Sequence, residues 1–267
     1  MPQTPDDEVP FHLQAMGEIP STALYVTEPF RGIADAALLP IARPLLRRAP
    51  KGDGHGVLVL PGLLASDTST APLRRFLRER NYYVRGWRLG RNLGPSEAII
   101  EGIPQALRDL VERTDGPVSI IGWSLGGIYA RTLALDHPDM VRQVITLGSP
   151  FGVAHGHKTR ADGAFERLRI IHARPRLAPD RSRLADALSV PSTALYSKLD
   201  GVVPWRACIG EDTELHQNVE VRCSHLGFGF DPATIWCVTD RLAQDPDNWR
   251  RFKKPSGLAS RLYKRVG

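Results

Sequence analysis

Three cysteines, Cys208, Cys223 and Cys237, are too few for a disulfide scaffold in a chain of 267 residues. No apolar run approaches the roughly eighteen residues that a membrane-spanning helix needs, so an integral membrane protein is excluded. Met1–Pro10 carries Asp6, Asp7 and Glu8 where a secretory leader would place basic and then apolar residues. No export signal is therefore expected, and the expected location is the cytoplasm, with or without peripheral attachment to a membrane. Internal repeats and low-complexity segments are also lacking. Acidic side chains are missing from Arg250–Gly267, which holds seven cations (Arg250, Arg251, Lys253, Lys254, Arg261, Lys264 and Arg265) among Phe252, Leu258, Leu262 and Tyr263. The net charge of +6 is otherwise spread along the chain, with no basic motif interleaved with aromatics, which argues against a nucleic-acid partner.

What is present is a globular composition: 42% hydrophobic and 24% charged residues in 29.5 kDa, enough for one α/β domain with a small insertion. Val57–Leu60 is a continuous apolar run ending in Pro61-Gly62, as a parallel strand buried on both faces would be. Helical spacing at 72–80, a strand-like stretch at 82–89 and helical spacing at 97–113 follow. Strands at 118–121 and 141–147 bracket another helix, and the order closes with strands at 192–197 and 219–222 and a helix at 232–243. This alternation predicts an α/β fold with a mostly parallel central sheet and helices on both faces. Residues 1–54 read as an N-terminal extension packing on the core. Within it Phe30, Ile33, Ala37, Leu38, Ile41 and Leu45 have helical spacing, but Pro40 and Pro44 should end or kink the helix, giving a broken helix lying over the core. Residues 55–150 and 187–247 form the expected core, 248–267 a basic tail. The stretch 151–186, rich in Gly and Pro, interrupts the rhythm and reads as a lid over the C-terminal end of the sheet.

Gly122-Trp123-Ser124-Leu125-Gly126-Gly127 follows the apolar strand Val118–Ile121 and precedes a helix. A serine at such a strand-to-helix turn is presented at an apex, and the flanking glycines remove the Cβ atoms that would collide where strand and helix close on each other. A serine hydroxyl becomes a nucleophile at neutral pH only when a histidine takes its proton and a carboxylate orients that histidine. Asp200 directly follows the strand at 192–197, in Asp200-Gly201-Val202-Val203-Pro204, and His225 follows the strand at 219–222 in Ser224-His225. The backbone N–H of Leu125, the residue after the serine, is the first candidate donor to a developing oxyanion, a contribution of about 3 kcal/mol per donor.

These residues, with Leu60-Pro61-Gly62-Leu63 and Thr146-Leu147-Gly148-Ser149-Pro150, resemble the α/β-hydrolase superfamily over roughly residues 55–243, most closely its lipase and esterase branches. The resemblance implies Ser124, Asp200 and His225 as a catalytic triad, no cofactor, and Leu63 as the second oxyanion donor, with Leu64 in reserve. Family members often carry His-Gly where this chain has Pro61-Gly62. The activity implied is hydrolysis of a carboxylic ester, small-molecule or lipid, through an acyl-enzyme. An acyltransferase on the same triad and a non-catalytic membrane-associated binding protein are the alternatives. Leu64, Trp123 and Phe151 are expected to line the acyl pocket together with Leu63 and Leu125.

Two further features remain open on the sequence. Cys208 and Cys223 lie on the loops of the acid and the base; a disulfide there would add about 3 kcal/mol by closing a loop of roughly 15 residues, and a pair of buried thiols is the alternative. His155-Gly156-His157 lacks a third ligand nearby and does not make a metal site. The basic tail is either a solvated end or, with its apolar side chains inserting shallowly, an attachment to anionic membranes.

Overall fold

The computed structural model describes residues 19–152, 159–163, 183–245 and 248–263. Six strands form one sheet: β1 (Gly56–Leu60), β2 (Tyr83–Gly86), β3 (Val118–Trp123), β4 (Val141–Leu147), β5 (Ser192–Ser197) and β6 (His216–Val221). All neighbours are parallel, in the order β2-β1-β3-β4-β5-β6. Among the described residues five α-helices accompany it: α1 (Thr22–Leu46), α2 (Asp67–Glu79), α3 (Glu97–Thr114), α4 (Leu125–Asp136) and α5 (Pro232–Leu242).

Both faces of the sheet are covered, which explains why the central strands read as unbroken apolar runs. On β1, Val57 and Val59 join the core made with α2 and α5, while Leu58 and Leu60 join the core made with α3 and α4. The former holds Leu73, Phe76, Trp236 and Val238, and the latter Ile103, Leu107, Tyr129 and Leu133, all buried. The helices begin where the side chains allow. Ser96 caps α3 by accepting from Ile99 N, and Asp231 caps α5 by accepting from Thr234 N at 2.7 Å, with Pro232 in the first position.

After β1 the chain passes to β2 on one side and then returns to β3 on the other. Strand order therefore reverses between β1 and β3, and the crevice at their C-terminal ends is where such a sheet accepts a ligand. The β1–α2 loop and the β3–α4 turn both open there.

α1 departs from expectation twice. It is one helix of 25 residues with Pro29, Pro40 and Pro44 inside it, neither ended nor broken at 40 or 44. Each proline removes only its own N–H bond, and the carbonyls so freed lie mostly on a water-facing surface. Its apolar face does not lie on the core either. Phe30 is 74% exposed, Ile33 69% and Ile41 76%, while Glu28 is 3% exposed. Only Leu39, Ala42, Leu45 and Leu46 pack against the sheet's helical layer.

Candidate active site

The β3–α4 turn is built by close approach. A Cβ on Gly122 would stand 2.3 Å from the Cα of Gly127, and one on Gly126 would stand 2.3 Å from the Leu60 carbonyl oxygen. Ser124 between them has φ 53 and ψ −121, a strained conformation for a residue with a side chain. Its N–H is tied to the Leu147 carbonyl at 2.8 Å, so the strain is held by the neighbouring strand β4.

Asp200 and His225 meet after β5 and β6. His225 Nδ1 lies 2.6 Å from Asp200 Oδ2, with the histidine side chain 7% exposed and the aspartate 1%. Asp200 Oδ1 accepts the backbone N–H groups of Val202 (2.8 Å) and Val203 (2.7 Å). The carboxylate is thus fully engaged, and its remaining acceptor fixes the imidazole with Nδ1 as donor and Nε2 as the free lone pair. Burial by itself lowers the His225 pKa; the charge of Asp200, its hydrogen bond and the charge of Glu28 outweigh burial, and the pKa stands above its ordinary 6.5.

The residues flanking Ser124 touch this pair. The Trp123 indole N–H donates to the His225 carbonyl at 3.1 Å, and a Cβ on Gly148 would lie 3.2 Å from Asp200 Oδ2. Ser124 Oγ and His225 Nε2 make no hydrogen bond to each other or to any other described residue. The structure therefore joins Asp200 to His225 and gives Ser124 Oγ no partner among the described residues.

The β1–α2 loop faces the serine across Gly62, where a Cβ would lie 3.2 Å from Ser124 Cβ. Ala65 N donates to Gly62 O, making a tight turn with Leu63 and Leu64 at its centre and Leu64 at φ 63. In such a turn the N–H of its second residue is left unused, and Leu63 N has no described acceptor. Leu64 N is spent on the Asn92 carbonyl at 2.7 Å, which removes it as the reserve oxyanion donor. Asn92 is fully buried and staples the loop three ways, through that carbonyl, through its own N–H to Ala65 O, and through Nδ2 to Pro61 O at 2.9 Å. Leu125 N is the first N–H of α4 and has no acceptor within the helix.

A second Ser-His-Asp chain lies at the opposite end of β3. His55 Nδ1 is 2.5 Å from Asp53 Oδ1, and His55 Nε2 is 2.8 Å from Ser119 Oγ. Ser119 is fully buried in the strand. Arg142 pairs with Asp53 at 2.9 Å. Burial lowers the His55 pKa, opposed by the bond to Asp53 and aided by the charge of Arg142. No substrate reaches Ser119 there, so this chain satisfies buried polar groups.

No family model matches the chain. Serine hydrolase BPHL of Mus musculus is 31% identical over 109 aligned residues, 37% of each chain, so this chain spans little more than a third of that relative. Aspergillus fumigatus lipase B superposes with a TM-score of 0.56 at 15% identity, covering 83% of this chain and 61% of that one. A structure described with LipS and LipT, two metagenome-derived lipolytic enzymes, covers 67% of this chain and 88% of its own, at 18% identity and a TM-score of 0.49.

The chain has the α/β-hydrolase fold.

On this fold the expected pocket residues sort differently. Leu64 is exposed beside the turn, as a pocket rim would be. Trp123 is 7% exposed, packs edge-on to Phe230 and donates to the His225 backbone. Phe151 is 4% exposed beneath the Arg131 guanidinium, 4.4 Å away, in a small cluster with Leu184 and Ala194. The three cysteines are free and buried, so the disulfide alternative falls. His155-Gly156-His157 and most of the expected lid lie outside the described residues. Of that segment, Arg160 is described, with its N–H on Val202 O beside the acid and its guanidinium on Pro20 O.

Sequence reading missed Asn92 and the carboxylates of α1. Glu28 and Asp35 reach the acid and base loops from α1. A signal existed: Glu28, Arg31 and Asp35 fall at i, i+3 and i+7, one face of a helix whose other face is apolar. The usual assignment of the charged face to water points it the wrong way.

Proposed function

We propose that this protein hydrolyses carboxylic esters through an acyl-enzyme on Ser124. The observation that carries the reading is the 2.6 Å bond between His225 Nδ1 and Asp200, set at the same end of the sheet as the strained Ser124 turn. Ser124 Oγ attacks the acyl carbon as His225 Nε2 takes its proton. The oxyanion forms against the N–H groups of Leu125 and Leu63. Collapse expels the alcohol with the proton from His225, and water, deprotonated by the same imidazole, releases the acid. The relatives named above, lipolytic or hydrolytic by name, agree with this assignment.

A fluorophosphonate probe should label Ser124, located by peptide mass spectrometry, and p-nitrophenyl esters should be turned over by the wild-type protein only. Failure to label, or equal labelling of Ser124→Ala, removes the reading. An ester product in place of the acid when an alcohol is added would move the activity to acyl transfer on the same serine.

A peripheral contact with an anionic membrane belongs to the same proposal, carried by α1 rather than by the tail. In the tail, Phe252, Leu262 and Tyr263 pack on the core, and Tyr263 Oη donates to Ala233 O at 2.6 Å, so those side chains are committed. α1 instead exposes Val26, Phe30, Ile33 and Ile41. Arg47 and Arg48 are exposed just past its end, Arg43 is exposed but paired with Glu79 at 2.8 Å, and α1 itself exposes no acidic side chain. Each cation near an anionic bilayer contributes about 1 kcal/mol. Co-sedimentation with anionic liposomes should fall in Phe30→Ser/Ile33→Ser and persist in Lys253→Gln/Lys254→Gln. The reverse pattern returns the contact to the tail.

A further inference from the structure

α1 is inside out. Between Thr22 and Ala42 its charged residues are Glu28, Arg31 and Asp35, and all three turn toward the protein. Glu28 Oε1 accepts Gly201 N at 2.6 Å and His225 N at 3.0 Å, Oε2 accepts Leu226 N at 3.2 Å, and Arg31 Nη2 adds an ion pair at 2.9 Å. Arg31 Nη1 donates to the Leu199 carbonyl at 2.6 Å. Asp35 Oδ2 accepts both the N–H (2.9 Å) and the hydroxyl (2.6 Å) of Ser224. The peptide groups on both sides of Asp200, and the N–H of His225 itself, are thus held by one helix turn. The contact is close: a Cβ on Gly201 would stand 2.4 Å from the Leu24 carbonyl oxygen.

We infer that Glu28 is a positioning residue for the acid and base, its carboxylate fixing the Asp200 and His225 loops relative to each other so that the imidazole is held for Ser124. The inference rests on the ester-hydrolase reading above. A 3% exposed carboxylate facing three backbone donors and a guanidinium is satisfied in its charged form. No neutral side chain of the same size replaces it, because a carboxamide puts its own N–H against a backbone N–H. The charges around the imidazole are Asp200 from its own loop partner and Glu28 from α1, with Arg31 and Asp35 beside Glu28 and Asp231 at the start of α5. Removing the charge at Glu28 takes away one of the influences that hold the His225 pKa up.

Glu28→Gln should therefore show two effects together. kcat/KM on the pH plateau should fall by about tenfold to a hundredfold, as expected when catalytic groups shift by a fraction of an ångström to one ångström, mostly in kcat. The acid limb of its pH profile should move to lower pH, and NMR titration of the His225 ring, which needs no substrate, should show the same move. Gly201→Ala, which pushes the acid loop off α1 without altering charge, should lower kcat and leave the limb in place. A Glu28→Gln protein whose rate loss equals its loss of probe-titratable Ser124, with an unmoved limb, has only lost folded enzyme and overturns the inference, as does kcat within twofold of wild type. An inert, unlabelled wild type defeats the ester-hydrolase reading instead, and the ring titration still decides what Glu28 does to His225.

Discussion

Two Ser-His-Asp chains end on β3, one at each end, and the better hydrogen-bonded of them is not the candidate site. At the N-terminal end Ser119, His55 and Asp53 are linked without a gap, at 2.8 and 2.5 Å. At the C-terminal end His225 and Asp200 are linked, and Ser124 Oγ has no partner among the described residues. Ser119 sits fully buried in the strand, at a register shift next to Val118, with no helix start beside it. Ser124 is half-buried on a strained turn, flanked by the unused N–H groups of Leu125 and Leu63. The histidines shift in opposite directions, His55 below its ordinary 6.5 and His225 above it. Backbone N–H groups aimed at a reachable point distinguish a catalytic constellation from a buried polar chain; side-chain identity and bond length do not.

Exchanging the two serines for alanine is the severest way to break this comparison. Ser124→Ala should lose turnover by about a millionfold with its melting temperature kept. Ser119→Ala should keep kcat within about twofold and lose about 1–2 kcal/mol of stability, since His55 Nε2 loses its buried partner. Measured ester turnover and urea unfolding check both; a dead Ser119→Ala that remains folded would reverse the assignment. Of smaller effect is Trp123→Phe, which deletes the indole donor to the His225 carbonyl and should cost about 1 kcal/mol, seen as roughly a fivefold drop in kcat. The matching aromatic change beside His55, Tyr82→Phe, should leave turnover unchanged, because the Tyr82 ring meets His55 edge-on and its hydroxyl has no partner among the described residues.

Acidity separates the two ends by sign. For His225 the base form is the active one and its pKa is raised, so kcat/KM should fall with decreasing pH along a limb lying above 6.5. For His55 the folded pKa is lowered, and Asp53 is lowered to about 2, burial being outweighed there by the His55 bonds and charges. Depressed groups of either kind stabilise the fold above their unfolded pKa values, and that contribution is lost as pH falls through the folded ones. His225 runs the other way, its stabilising share being full below 6.5 and lost as pH rises through the raised folded value. Thermal melts of His55→Gln should accordingly lose less on acidification than those of wild type. Equal slopes would show that His55 carries no proton linkage.

Much of this was legible because it is local. An apolar run ending in Pro-Gly or in Gly-Trp-Ser places a strand end and its turn together, and Asp200 and His225 each follow a strand within a few residues. The orientation of α1 was not legible, because periodicity reports that two faces differ and is silent on which faces inward. Nothing in the local sequence marks Asn92, since the three bonds by which it staples the loop run to residues about thirty positions away whose turn exists only once they form. Pro40 and Pro44 misled through a rule about isolated helices, where the lost N–H bond is not offset by contacts made elsewhere along the helix.

The reach of Glu28 carries a consequence in time. Its partner Leu226 lies 198 residues later in the chain, and at about 5–20 residues per second a ribosome needs roughly 10–40 s to deliver it. Throughout that interval α1 has emerged with one side apolar and the other side holding charges that have nothing to bind. The turn around Ser124 is translated midway and the Glu28 clamp can close only after Leu226, so a nascent chain stalled before Ser224 holds the proposed nucleophile and acid but neither the proposed base nor the groups that Glu28 and Asp35 bind on its loop. The contacts that would hold the candidate site cannot form until Ser224–Leu226 has been made, and they then close together rather than growing gradually with the chain.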